Sequence, residues 1–265
     1  MTTKYQVGDS VFVSSSRLPN PENRPYALTR RTVTGLTGRK VTIDENDADG
    51  NAISVASRSV HTDKLGFVLI WIGDFETENI LLDPLAKSVL QFMRLLVEDA
   101  VIHYWKIRKV SELEFLWAKN ADAASHVIFL GHGAHDSLRF TDREERVTGK
   151  QLGEILLAAN SATRPKVFLS LACLTGRASF AREFSKSPVC REFFGPFQSV
   201  HGAVASQYAQ NVLAFHLLDG LEMAAAHRNA GQLAGGSHFR RWKDGLQKGS
   251  GVSSPAKGVP EDQAA

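Results

Sequence analysis

Sulfur is scarce in this chain: its 265 residues hold two cysteines, Cys173 and Cys190, and three methionines. Two thiols build no disulfide framework, which suits a reducing compartment, so a cytoplasmic location is expected. No apolar run approaches the roughly 20 residues that span a bilayer, and no membrane association is expected. The opening MTTKYQVGDS lacks the charged-then-apolar order of a secretory signal. An excess of one charge is missing too. Lysine and arginine number 31 against 28 acidic residues, and a net +3 is too small to imply nucleic-acid binding. Arg17, Arg24, Arg30, Arg31, Arg39 and Lys40 make the first forty residues locally basic, but Asp44, Glu45, Asp47 and Asp49 follow at once. That alternation reads as a solvated surface.

The pattern that is present divides the chain. Residues 1–64 carry short β-branched runs (SVFVSS, RKVTIDE, AISVAS) with turn chemistry at LTGRK and DADGN. With VGDSVFV at their head they are similar to a small β-barrel of the Tudor or KOW type. From residue 65 to about 245 buried-strand runs alternate with amphipathic helices, the order of an α/β sandwich with a mostly parallel sheet. LGFVLIWIGDF, VIHYWKI, HVIFLGHG and KVFLSLAC read as strands, and SVHGAVASQ as a fifth. Between them, Asp83 and Pro84 read as the start of one helix, and Ser111 with Glu114 as the capping box of another. SLRFTDREERVTG predicts a hairpin, and HFRRWKDGLQK a basic helix end. Residues 246–265, rich in Gly, Ser and Pro, are expected to be a disordered tail.

Two of the strands end alike. One delivers His132 between glycines, in FLGHG; the other delivers Cys173 just before a turn, in SLACLTG. Reacting groups in parallel α/β sheets gather outside the carboxyl ends of strands. If these strands are neighbours, an imidazole meets a thiol. That pairing matters because a thiol of ordinary pKa is mostly protonated at neutral pH, and a nearby base raises its thiolate fraction. Gly133 allows close backbone approach, so its N–H can face a developing oxyanion together with that of Cys173.

FLGHGAHDSLRFTD, VTGKQLGEILL and KVFLSLACLTG, in that order, resemble the caspase-like cysteine peptidases, most closely the bacterial CHAT branch. The resemblance spans roughly residues 65–235. It implies a caspase-like α/β/α sandwich, with Cys173 as nucleophile, His132 as general base and acid, and an oxyanion site at Gly133 and Cys173. It also implies peptide-bond hydrolysis of protein substrates without a cofactor. The expected setting is a switched effector in antiviral immunity or cell death, released by a partner protein or a small-molecule signal such as a nucleotide. The segment SVHGAVASQYAQN corresponds to the strand lining the specificity pocket, which makes Ser206 and Gln207 substrate-binding candidates beside Asp136; Asp142 and Asp219 are further acidic candidates. Metacaspase-like relatives carry an aspartate two residues before the cysteine. Leu171 stands there, so basic specificity through that position is unsupported.

Other readings compete. Cys173 alone can be a buried structural thiol and His132 a loop histidine. A zinc site joining His132, His135, Cys173 and Cys190 matches no common zinc-finger spacing, and no metal is expected. Cys190, His103, His126, Trp71, Trp105 and Trp117 read as packing residues. The whole chain can also be a catalytically silent module that binds a peptide or nucleotide. A nucleic-acid-associated protein led by the basic N-terminal segment is the third class, weakened because Tyr5, Phe12 and Tyr26 are that segment's only aromatics.

Overall fold

A computed structural model describes residues 4–62, 64–73, 79–140, 145–162, 164–233 and 238–249. Its N-terminal part is a five-stranded antiparallel sheet: β1 (Ser10–Ser14), β2 (Leu28–Thr37), β3 (Lys40–Asn46), β4 (Ala52–Ala56) and β5 (Val60–Thr62). The strand order is β4-β3-β2-β1-β5. Alternation along β1 divides its side chains between two cores. Val11 and Val13 join Val33, Val41 and Val55 in a core within this sheet, whereas Phe12 and Leu28 belong to the core of the rest of the molecule. The expected closed barrel is not formed. β5 has three residues and pairs only with β1, so β4 and β5 remain as open edges of a half-barrel.

The large sheet has seven strands in the order β15-β14-β13-β12-β8-β6-β7. Five are parallel: β6 (Phe67–Ile72), β7 (Ile102–Ile107), β8 (His126–Leu130), β12 (Lys166–Ser170) and β13 (Cys190–Pro196). β14 (Phe239–Lys243) and β15 (Leu246–Lys248) extend it antiparallel. Helices α1 (Asn79–Leu96), α5 (Gly202–Leu217) and α6 (Met223–Gly231) cover one face, and α2 (Val110–Asn120), α3 (Gly149–Ala159) and α4 (Ala178–Phe184) the other. This double cover explains the unbroken apolar run of β6. Phe67, Leu69 and Trp71 pack into one core, while Val68, Ile70 and Ile72 pack into the other. Trp105 and Trp117 are buried as well.

Several local expectations are corrected. SVHGAVASQ opens α5 instead of forming a strand. Its alanines favour helix, His201 Nδ1 accepts the Ala203 N–H, and Ala205, Tyr208, Ala209 and Val212 bury one helical stripe. The fifth parallel strand is β13, whose Phe193 and Phe194 face opposite cores. HFRRWKDGLQK holds the β14–β15 hairpin, closed by Asp244 and Gly245 at φ +53° and +73°, the left-handed pair a tight two-residue turn requires. Residues 246–248 are therefore sheet, not tail, and 250–265 lie outside the described residues. α1 begins before Asp83 and carries Pro84 within it. Asp83 instead pairs with Lys87 and Lys106, and the Lys87 hydrogen bond holds its carboxyl below the ordinary value. α2 starts at Val110, where Glu112 accepts the N–H groups of Arg108 and Lys109. Among the described residues no helix is long and apolar enough to cross a membrane.

Four histidines, His126 and His227 buried and His61 and His216 half-buried, tie stability to pH. His61 Nε2 donates to the Leu217 carbonyl at 3.0 Å, His216 Nδ1 to the Leu221 carbonyl at 2.6 Å, and His227 Nδ1 meets the Tyr208 hydroxyl at 2.6 Å. Burial pushes His61 and His227 down to about 4 and depresses His126 and His216. The unfolded chain therefore binds more protons below pH ~6.5, and stability falls as pH drops through that window. For His61 alone the loss reaches about 2 kcal/mol at pH 5. Urea midpoints should fall steadily from pH 7 to pH 5, and less steeply in His61→Gln. A midpoint flat across that range contradicts the account.

Candidate active site

The site grows from the carboxyl ends of two adjacent strands. β8 and β12 pair in parallel register, Phe129 opposite Ser170, and the Leu171 N–H donates to the Phe129 carbonyl at 2.8 Å. Beyond these ends both chains leave the sheet. The first passes Gly131, where a Cβ would stand 2.7 Å from the Ile72 carbonyl oxygen, so a side chain is excluded at the exit. It then forms β9 (His132–Gly133), which pairs with β10 (Ser137–Arg139) through a tight turn closed by Ala134 N–H on the Ser137 carbonyl. β11 (Arg146–Thr148) completes the predicted hairpin and leads into α3, where Thr148 and Gln151 cap each other.

The second chain turns sharply at Cys173. Ser170 and Thr175, both fully buried, brace this turn from below. Thr175 Oγ1 lies 2.8 Å from both Ser170 Oγ and the Ala172 carbonyl oxygen, and the Ala172 N–H donates to Ser170 Oγ. Leu174, next to Cys173, takes φ +66°, a conformation that costs a non-glycine residue of order 1 kcal/mol and that concentrates at functional sites. The far side is held by the end of β13. Gly176 N–H donates to the Pro196 carbonyl at 2.7 Å, and the Trp242 indole to the Gly176 carbonyl at 2.8 Å.

The two motifs touch through their backbones. A Cβ on Gly133 would stand 2.1 Å from the Cys173 carbonyl oxygen and 2.9 Å from Thr175 Cγ2. His132 and Cys173 are both partly exposed, and the Cys173 thiol donates to the Val200 carbonyl at 3.7 Å. Arg139 is the cross-strand partner of His132 and shares its face. Its Nε is buried without a hydrogen-bond partner among the described residues.

The remaining candidates scatter. Asp136 sits in the turn after Gly133, its carboxylate accepting the Ser137 hydroxyl at 2.9 Å and lying 3.9 Å from His135. Ser206 is buried on α5, where it donates to Ser88 at 2.8 Å and receives Gln210 at 2.9 Å, and so joins two helices. Gln207 is exposed on the same helix. Asp219 follows the far end of α5, a helix about 24 Å long. Asp142 lies outside the described residues. Leu171 is buried in the core and offers the cleft no polar group. Cys190 is buried at the opposite end of the sheet, opposite Lys166 in register, and burial raises its thiol pKa. The imagined zinc quartet is thereby broken up. Among the described residues no three His, Cys, Asp or Glu side chains group to hold a metal.

Fold and turn together define an α/β protein with a cysteine loop and a histidine loop abutting at the carboxyl edge of a mostly parallel sheet. No known family model matches the sequence, and no curated protein does. Among solved structures the chain is similar to a secreted C11 cysteine protease from Bacteroides thetaiotaomicron, determined in complex with an irreversible peptide inhibitor. The TM-score is 0.47 at 11% identity, covering 67% of this chain and 66% of that one, just under two thirds of its length.

Proposed function

We propose that the protein is a caspase-like cysteine endopeptidase acting through Cys173 and His132. The observation that carries this reading is the contact between Gly133 and the Cys173 carbonyl, which brings the two loops together at one strand edge. In this reading the thiolate of Cys173 attacks the scissile carbonyl, and His132 takes the thiol proton and later gives it to the leaving amine. N–H groups at Gly133 and Cys173 face the oxyanion. Water then hydrolyses the acyl thioester, so no cofactor enters. Asp136 and Gln207 are the substrate contacts this reading retains. Its finer part is the CHAT branch and a switched role in bacterial antiviral defence, with a protein or small-molecule trigger. The half-barrel is then the receiving module, since it packs on α1 and α5.

Thiol chemistry tests the reading directly. Brief iodoacetamide treatment should place one adduct on Cys173 and none on buried Cys190, and cleavage of a peptide library should stop with the same time course. Full cleavage by protein alkylated at Cys173 rejects the mechanism.

A further inference from the structure

At the end of the large sheet away from Cys173, a cavity of about 640 Å³ opens in the seam between the half-barrel and the sheet. Small-ligand sites usually fall between roughly 300 and 1,000 Å³. The half-barrel side contributes Arg39, Lys40 and Arg58, and Lys64 follows on the connection. From the large sheet come Arg191 and Lys243. None of these six cations makes an ion pair among the described residues, although Arg24, Arg30 and Arg31 elsewhere on the half-barrel all do. Two carboxylates also line the cavity. Glu192 is taken by Arg241 at 2.9 Å, which leaves Glu222.

The inner wall is polar as well. His126 is 5% exposed, its ring stacks on Phe67, and its Nε2 is buried with no hydrogen-bond partner among the described residues. A buried polar atom without a partner costs about 1–3 kcal/mol, which a ligand group can recover. Tyr5 and His61 also line the cavity.

We propose that this cavity binds a small phosphate-bearing anion of the nucleotide class. Unpaired cations converging on a concave site focus positive potential, and arginine forks match phosphate oxygens in pairs. The cavity's volume is that of a small-molecule site, whereas a nucleic-acid strand needs a groove that continues across the surface. The placement is independent of the peptidase reading. β8 runs from His126 toward His132, and α5 runs from His216 back to the loop carrying Val200.

The test uses the full chain with ATP, pyrophosphate, adenosine and a single-stranded oligonucleotide, titrated by calorimetry at low and high salt. ATP and pyrophosphate should bind, adenosine should not, and affinity should fall about tenfold or more as salt screens the cations. Binding of both phosphate probes identifies phosphate as the recognised group, and ATP alone assigns a nucleotide. Arg39→Glu with Arg191→Glu should weaken ATP at least about tenfold, whereas Lys150→Glu on α3 should not. Ligand-free melting curves establish that these variants fold. The proposal falls if neither phosphate probe binds at millimolar concentration, if the paired reversal leaves affinity unchanged, or if the oligonucleotide outcompetes ATP.

Discussion

Cys173→Ala should lose peptidase activity by on the order of 10⁴-fold while its melting temperature stays near that of the wild type. The loss is large because the variant removes the atom that forms the acyl intermediate. The fold survives because the half-buried thiol makes one weak bond to the Val200 carbonyl, and the turn is braced by Ser170, Thr175 and Trp242 instead. His132→Ala should cost a similar factor. The sharper expectation concerns the pair. Residues that act as one unit are grossly non-additive, so the double variant should be no slower than Cys173→Ala alone. A nucleophile without its base, or a base without its nucleophile, leaves only binding and the oxyanion donors. Independent, multiplying losses would show that the two residues do not work on the same proton. A wild type no faster than Cys173→Ala across a whole peptide library would leave the silent binding module as the surviving reading.

Much of the frame behind this site was legible in the residues. β6 reads as a doubly buried strand because neither of its faces tolerates a polar side chain. The two loops are announced by glycine and cysteine following apolar strands. The failures have physical causes. In HGAVASQ small residues alternate in a way that suits a strand, and the helix shows only once the His201 cap and the stripe through Tyr208 and Val212, buried against its neighbours, are counted. The Asp244-Gly245 turn carried a hairpin signal, but the cations around it resemble a helix end when read alone. The brace beneath Cys173 is mostly backbone carbonyls of Ala172, Gly176, Pro196 and Val200, and a carbonyl carries no residue identity. The anion cavity was invisible for a further reason: Arg39 and Lys243 stand some two hundred residues apart in the chain and meet only after the half-barrel docks.

Gly133→Ala should injure stability and activity together, and the comparison with Gly66→Ala separates the two. A methyl on Gly133 meets the Cys173 carbonyl oxygen at 2.1 Å, and backbone atoms in a braced turn cannot swing aside as a flexible side chain would. Overpacking of this kind costs about 3 kcal/mol, which lowers the melting temperature by roughly 5–10 °C. Gly66 faces an equal clash, 1.8 Å from the Ala123 carbonyl oxygen, but lies at the amino end of β6, away from the thiol. Both variants should melt early. Below their transitions, where each is folded, they should part company. Gly66→Ala should keep near-wild-type turnover, because His132 and Cys173 hold their places. Gly133→Ala should lose about 100-fold or more, since separating the loops by an ångström spoils both proton transfer and the oxyanion contacts. Equal turnover in the two folded variants would mean that the contact between the loops is packing alone, and the mechanism would lose its principal support.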